Sequence, residues 1–190
     1  MSQEMSFLGW YPPFAAVLSP SRKINKSILF RVLQAIRYGR AIEITYQSLN
    51  RPNATERTIS PHAIAYDGFR WHTRAYCHEH QDFRDFVFAR ILQITNETPS
   101  DSDSAQDSAW HTVLRLTLKP NPDLPIEQRR AIELDYGMVN GKVIVESKQA
   151  LLFYLLKRLG LEKNKKTSPQ TQQIVLANRD EIEPLLEAAS

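Results

Sequence analysis

Around Gly39 the spacing of apolar residues changes from helical to alternating. Before it, Leu29, Val32, Leu33 and Ile36 fall at i, i+3, i+4 and i+7. They form one stripe of a helix predicted over 25–38, which Asn25 or Ser27 can cap and Gly39 can end in the left-handed conformation. After it, Ile42, Ile44 and Tyr46 alternate with Glu43 and Thr45, as on a half-buried strand. Further strands are predicted near 57–59 and 63–66, from Phe69 to Cys77 and from Phe83 to Ile94. Asp67-Gly68 reads as a hairpin turn, and 48–55 and 78–82 as polar loops. Strands this short and this closely spaced suggest a small antiparallel barrel or a curled sheet.

A second unit follows. Residues 96–109 are rich in Ser and Asp with almost no apolar content, which makes them a linker and the best domain boundary in the chain. Beyond them, a strand is predicted over 113–118, a helix from Pro125 to Leu134, and a hairpin of Met138-Val139 with Val143–Val145 across Asn140-Gly141. A helix over 148–160, a strand at Ile174–Leu176 and a short helix over 181–188 complete the unit. The order strand, helix, strand, strand, helix, strand is the ferredoxin-like pattern. Residues 1–23 carry Phe7, Trp10, Tyr11 and Phe14 without helical or strand period and read as an irregular arm that packs on something. Lys163–Lys166 reads as a basic, solvated loop.

Composition narrows the function. The chain has 190 residues and a net charge of +3, too small by itself to announce a nucleic-acid binder. No apolar run approaches the roughly 20 residues needed to cross a bilayer. The N-terminal stretch does not read as a secretion signal, and one cysteine excludes an internal disulfide and fits a reducing cytosol. A cytoplasmic protein without a membrane partner is expected. His72, Cys77, His78 and His80 lie close in sequence, but His72 and Cys77 fall on opposite faces of their strand, and structural zinc takes four ligands in spaced pairs. No metal and no other cofactor is expected. Cys77 on a core face is an inert hydrophobe and not a nucleophile, and the acidic residues lie mostly in the linker and not in a cluster suited to Mg²⁺. The chain is not read as an enzyme.

The strand from Phe69 to Cys77 carries the most chemistry. Alternation puts Phe69, Trp71, Thr73, Ala75 and Cys77 on one face, read as core. Arg70, His72, Arg74 and Tyr76 share the other face, roughly 7 Å apart at i, i+2 spacing. Such a rail suits phosphates, because guanidinium forks grip phosphate oxygens and Tyr or His can stack on a base. The competing reading is the solvent face of an ordinary sheet.

From Ile42 to Ile91 the chain resembles a WYL domain. The resemblance is carried in order by Ile44-Thr45-Tyr46-Gln47-Ser48, Arg57-Thr58-Ile59-Ser60-Pro61-His62, Gly68-Phe69-Arg70-Trp71-His72-Thr73-Arg74-Ala75-Tyr76 and Phe83-Arg84-Asp85-Phe86-Val87-Phe88-Ala89-Arg90-Ile91. In the tripeptide that names the family, Trp71 is kept, while His72 and Thr73 stand where Tyr and Leu are usual. This form is similar to regulators found beside anti-phage defence systems. Residues 111–188 resemble the C-terminal extension of those regulators, through Asp135-Tyr136-Gly137 and the segment Ala150 to Gly160.

The resemblance implies an α+β protein: an Sm-like (SH3-type) small β-barrel followed by a ferredoxin-like α/β domain. The expected division is an arm and helix over 1–40, the WYL domain over 41–96, a linker over 97–109 and a dimerising extension over 110–190. The implied function is the ligand-sensing and dimerising part of a bacterial transcriptional regulator, a repressor, that takes a nucleic-acid or nucleotide effector. Tyr46, Ser48, His62, Arg74, Arg84 and Arg90 match the family's polar pocket, and the strand-face argument adds Arg70 and His72. The arginines would take phosphates, Ser48 and His62 would hydrogen-bond sugar or phosphate, and Tyr46 would stack or cap. Arg90 has a second reading as an ion-pair partner of Asp85 or Glu43, and His62 as the closure of a turn. Trp71 reads as core. A homodimer is implied. Promoter DNA would be reached only through a winged helix-turn-helix, which is expected to be missing here. Two alternatives stand beside this reading: a module that grips single-stranded nucleic acid directly, and a pure dimerisation scaffold.

Overall fold

The computed structural model describes residue 13, residues 15–16, 22–163 and 167–187. The expected arm aromatics Phe7, Trp10, Tyr11 and Phe14 lie outside these residues, as do 164–166 of the basic loop. Lys163 itself pairs with Glu183 at 3.2 Å.

Helix α1 (Lys26–Tyr38) starts where Asn25 Oδ1 accepts from Ser27 N and Ile28 N, and ends at Gly39 with φ of 58°. Its stripe of Ile28, Val32 and Ala35 packs on the first sheet. That sheet has strands β1 (Arg40–Tyr46), β2 (Thr55–Tyr66), β3 (Trp71–Cys77), β4 (Asp82–Val87) and β5 (Ile91–Pro99), in the order β4-β3-β2-β1-β5. Every pairing is antiparallel. The outer strands β4 and β5 do not pair with each other, so the sheet stays open and the expected closed barrel does not form. A short 3-10 turn, Phe88–Arg90, joins these two edges and anchors itself through buried Phe88. Ile42, Ile44, Ile59, Ala75, Cys77 and Phe86 fill the core beneath α1. Each fully buried aliphatic chain there contributes about 2 kcal/mol.

Two expected strands, near 57–59 and 63–66, are one continuous strand, β2. Pro61 does not break it, because a register shift between Pro61 and Ala63 absorbs the missing N–H. The single strand expected from Phe83 to Ile94 is split in two by the Phe88–Arg90 turn.

The second unit holds a three-stranded sheet of β6 (Val113–Pro120), β7 (Val143–Lys148) and β8 (Ile174–Leu176), in the order β7-β6-β8. Helices α3 (Ile126–Asp135), α4 (Leu152–Arg158) and α5 (Arg179–Glu187) accompany it. Leu116, Leu118, Leu152 and Leu156 lead its core. The expected fourth strand at Met138-Val139 is only a single bridge, Val139 to Lys142. The left-handed Gly137 ends α3, and the turn at Asn140 and Gly141 follows at once, so too few residues remain to form a ladder. The protein is α+β with two antiparallel sheets.

The linker is packed. β5 runs on to Pro99, and Asp107 caps the short helix α2 (Ser108–His111) by accepting from Trp110 N at 3.1 Å. Its carboxylate is buried between the two sheets.

Candidate anion-binding site and the seam beside it

Where β1, β2, β3 and β4 end together, a cavity of about 420 Å³ opens. Its walls include Tyr46 from the end of β1, Ser48 and Arg51 from the following loop, Arg57 from β2, Arg84 and Asp85 from β4, and Arg90 from the 3-10 turn. Local turns bring these chains together. Ser48 Oγ accepts from Asn50 N, and Gln47 Nε2 donates to the carbonyls of Ser48 and Arg51, which curls the loop so that Arg51 returns to the cavity. Tyr46 forms part of the floor. Its ring meets Phe86 edge-on at 5.2 Å and its hydroxyl accepts from Val87 N at 3.2 Å.

Four guanidinium groups thus face one carboxylate. Arg84 has only a 3.9 Å contact with exposed Asp82, and no ion pair joins Arg90 to Asp85 or Glu43 among the described residues. The neighbouring His80 reports the resulting field. Slight burial, then the charges of Arg84, Arg57 and Arg51, push its imidazole below the usual histidine value. Cys77, Glu79 and His80 form the group, among the described residues, whose donor atoms lie close enough to share a metal ion. Arg57 Nη1, however, already donates to His80 Nδ1 at 3.1 Å, and the arginine field opposes a further cation. The lining combines four guanidinium groups with the rings of Tyr46 and Phe86, an arrangement able to receive an anion.

A different set of polar groups lies at the seam between the two units. Arg74, 5% exposed, points from β3 into this seam. Its Nε and Nη2 grip both oxygens of Asp107 at 2.7 and 3.0 Å, and its Nη1 reaches Asp85 Oδ1 at 3.4 Å. His62 Nε2 shares Asp107 Oδ2 at 2.9 Å and packs between Phe83 and Trp110. Burial works against an ionised Asp107, but Arg74 and the hydrogen bonds from Trp110 and His62 outweigh it and hold the carboxyl below its ordinary value. For His62 burial wins, so its imidazole is pushed below the usual range. Burial likewise pushes Asp85 up despite Arg74. Nearby, His72 bonds Asp67 at 2.9 Å and lies 4.7 Å from the ring of Tyr154 on α4, while Arg70 approaches the same Asp67 at 3.7 Å.

The site residues read from the sequence therefore divide. Tyr46, Ser48, Arg84 and Arg90 line the cavity. His62, Arg70, His72 and Arg74 do not; they hold the seam or the Asp67 turn. At His72 and Arg74 the rail expected along β3 is covered, by Tyr154 of α4 and by Asp107, the cap of α2. The opposite face is mixed: Thr73, Ala75 and Cys77 are buried as expected, whereas Trp71, read as core, is 42% exposed beside Tyr66 near the hairpin tip. Arg51, Arg57 and Asp85 were missed. Arg51 had a signal, since it sits in the loop that follows Tyr46 and has to start at that strand's end.

Comparison with known proteins finds two family matches along the chain. Residues 27–96 match the WYL domain, and residues 113–182 match the BrxR transcriptional regulator C-terminal dimerization domain. The chain is 42% identical over 182 residues to the DNA-binding transcriptional repressor CapW of Escherichia coli strain KTE188, covering 95% of this chain and 61% of that protein. It is 45% identical over 184 residues to the protein of the same name from Pseudomonas aeruginosa, covering 96% of this chain and 61% of that one. The Stenotrophomonas maltophilia protein of that name is 38% identical over 179 residues, covering 93% and 60%. The chain thus spans about 61% of the length of the first relatives it matches. The open sheet with its arginine cavity lies almost wholly within the match to the WYL domain, and the sheet that follows the seam lies within the match to the BrxR transcriptional regulator C-terminal dimerization domain.

Proposed function

We propose that this chain is the effector-binding and dimerising part of a transcriptional repressor, and that its WYL cavity takes a phosphate-bearing ligand, a nucleic acid or nucleotide. The observation that carries the reading is the convergence of Arg51, Arg57, Arg84 and Arg90 on one cavity with a single carboxylate, Asp85, which Arg74 already engages. Guanidinium forks held by strands and tight turns receive phosphate oxygens with little ordering cost. Ser48 adds a hydroxyl, and Tyr46 with Phe86 offers an aromatic floor for a base. The seam residues His62, Arg70, His72 and Arg74 act behind the ligand, setting how the two domains sit.

The second sheet supports a homodimer. Val113 and Ile144 lie exposed on its outer face, on adjacent strands β6 and β7. The matched relatives are named DNA-binding repressors, and in the whole regulator a winged helix-turn-helix would make that contact; no helix pair of that kind occurs among the described residues. In architecture the first sheet is read as an opened Sm-like barrel, and the second as a reduced ferredoxin-like unit. Among the described residues no helix is long and apolar enough to cross a membrane.

Fluorescence anisotropy with labelled single-stranded DNA and with cyclic nucleotides tests the cavity. Arg84→Ala and Arg90→Ala should each weaken binding by about tenfold, and each should flatten the salt dependence by nearly one phosphate contact. Unchanged binding in both variants overturns the cavity assignment. Affinity that grows with oligonucleotide length would favour direct gripping of single strands. A dimer in light scattering that binds none of these ligands would leave a scaffold.

A further inference from the structure

We propose that Asp85 is the positioning residue through which an occupied cavity is felt at the seam, an inference that rests on the anion-cavity reading above. Asp85 stands on β4 directly opposite Arg74 on β3. Its side chain is only 8% exposed, yet it forms part of the cavity wall. The same carboxylate contacts Arg74 Nη1 at 3.4 Å and lies near the Tyr154 hydroxyl on α4 of the second domain, where burial and then the charge of Asp85 push that phenol above its usual pKa. Arg74 in turn holds Asp107, which begins α2. One carboxylate therefore borders the ligand space, a buried cation of the first domain and a hydroxyl of the second. Among the eight cavity and seam residues read from the sequence, none spans both places.

Charge decides the direction of the effect. Arg74 faces two carboxylates, Asp85 and Asp107, with His62 beside them held towards its neutral form, so Arg74 alone does not neutralise both and Asp85 is balanced from its other side by the cavity arginines. A phosphate that takes up those arginines removes this balance and sets a second anion beside Asp85 in a poorly screened place. The strain is relieved when Asp85 takes up a proton. That change weakens its hold on Arg74 and its pull on the Tyr154 hydroxyl. The ligand and the closed seam thus compete for the state of one carboxylate, and the ligand favours the arrangement in which α4 is released. Coupling of this kind is reciprocal: whatever loosens the seam must tighten the ligand.

The test uses the whole chain with inorganic pyrophosphate as probe, titration calorimetry for affinity, and hydrogen exchange over 104–111 and 152–158 for the seam. In the parent chain, saturating pyrophosphate should speed exchange in both segments. Asp85→Asn should bind pyrophosphate about tenfold more tightly, the effect of removing one nearby unit charge, and its seam exchange should no longer respond. Tyr154→Phe removes only a hydroxyl that lies outside the cavity wall, so it carries the test even if Asp85→Asn folds poorly. It should bind about threefold more tightly through the reciprocal coupling. Parent-like affinity in Tyr154→Phe, or seam exchange unchanged at saturation, overturns the coupling while leaving the cavity reading intact. If pyrophosphate fails to bind the parent, or binds Arg84→Ala and Arg90→Ala equally well, the cavity reading falls and the coupling falls with it.

Discussion

Replacing Asp107 by Asn keeps the shape of the side chain and removes its charge. In the native seam this carboxylate takes two hydrogen bonds from Arg74, at 2.7 and 3.0 Å, one from His62 at 2.9 Å, and one from Trp110 N at 3.1 Å. The Arg74 and Asp107 side chains are 7% and 1% exposed, so solvent screens little of the interaction. Breaking a buried pair by neutralising one partner costs about 3–5 kcal/mol. The lower end applies here, because Arg74 keeps Asp85 and the Asn oxygen still accepts one bond, giving a loss of about 3 kcal/mol. For a chain of this length that corresponds to a Tm lower by about 6–12 °C. Urea unfolding followed by far-ultraviolet circular dichroism should show the loss, alongside Arg74→Met and the double variant. Once the arginine charge is gone, Asp107 no longer has its partner, so the double variant should lose little more than the worse single one, with a coupling of about 2 kcal/mol. A loss below about 1 kcal/mol in Asp107→Asn, or additive losses in the double variant, would refute the view of this pair as the clamp of the seam.

Three further outcomes follow from the same structure. His62 has its pKa lowered in the fold, so the unfolded chain takes up the proton first as pH falls; stability should therefore drop as pH goes from 7 towards 5, and the drop should be shallower in His62→Gln. Thermal melts across that range check it, and an equal slope in both proteins counts against burial of His62 as the cause. Leu116→Ala empties a fully buried position in the core of the second domain and should cost about 2–5 kcal/mol by urea unfolding. Gly68→Ala should destabilise by about 1 kcal/mol or more in the same assay, because its φ of +94° disfavours any Cβ and the added carbon would meet Arg158 Nη1 at 2.5 Å.

Four of the eight candidate residues read from the sequence, Tyr46, Ser48, Arg84 and Arg90, line the cavity. Tyr46 ends β1 and Ser48 lies just past it, Arg84 sits two residues inside the start of β4, and Arg90 closes the turn after β4; strand ends gather at one edge of a small sheet whatever the details of pairing. Arg57 was read as part of a short strand and not of the site, because its place in the cavity depends on β2 pairing with both β1 and β3. Asp85 could be seen as acidic and close to Arg84, but its place between cavity and seam follows from the β3–β4 register that sets it against Arg74.

By itself the sequence determined what is local. Asn25 and Gly39 bound α1, because a cap needs a side-chain acceptor and a left-handed stop needs no Cβ. Alternation placed Thr73, Ala75 and Cys77 on one inner face. Only the tertiary structure decided what covers the other face of β3. Period-two spacing separates two faces and says nothing of which distant segment lands on either, so His72 and Arg74 could be read as an open rail until α2, α4 and Asp107 were seen lying on them. A buried arginine requires a carboxylate partner, and here that partner comes from a stretch whose composition looks like a free linker.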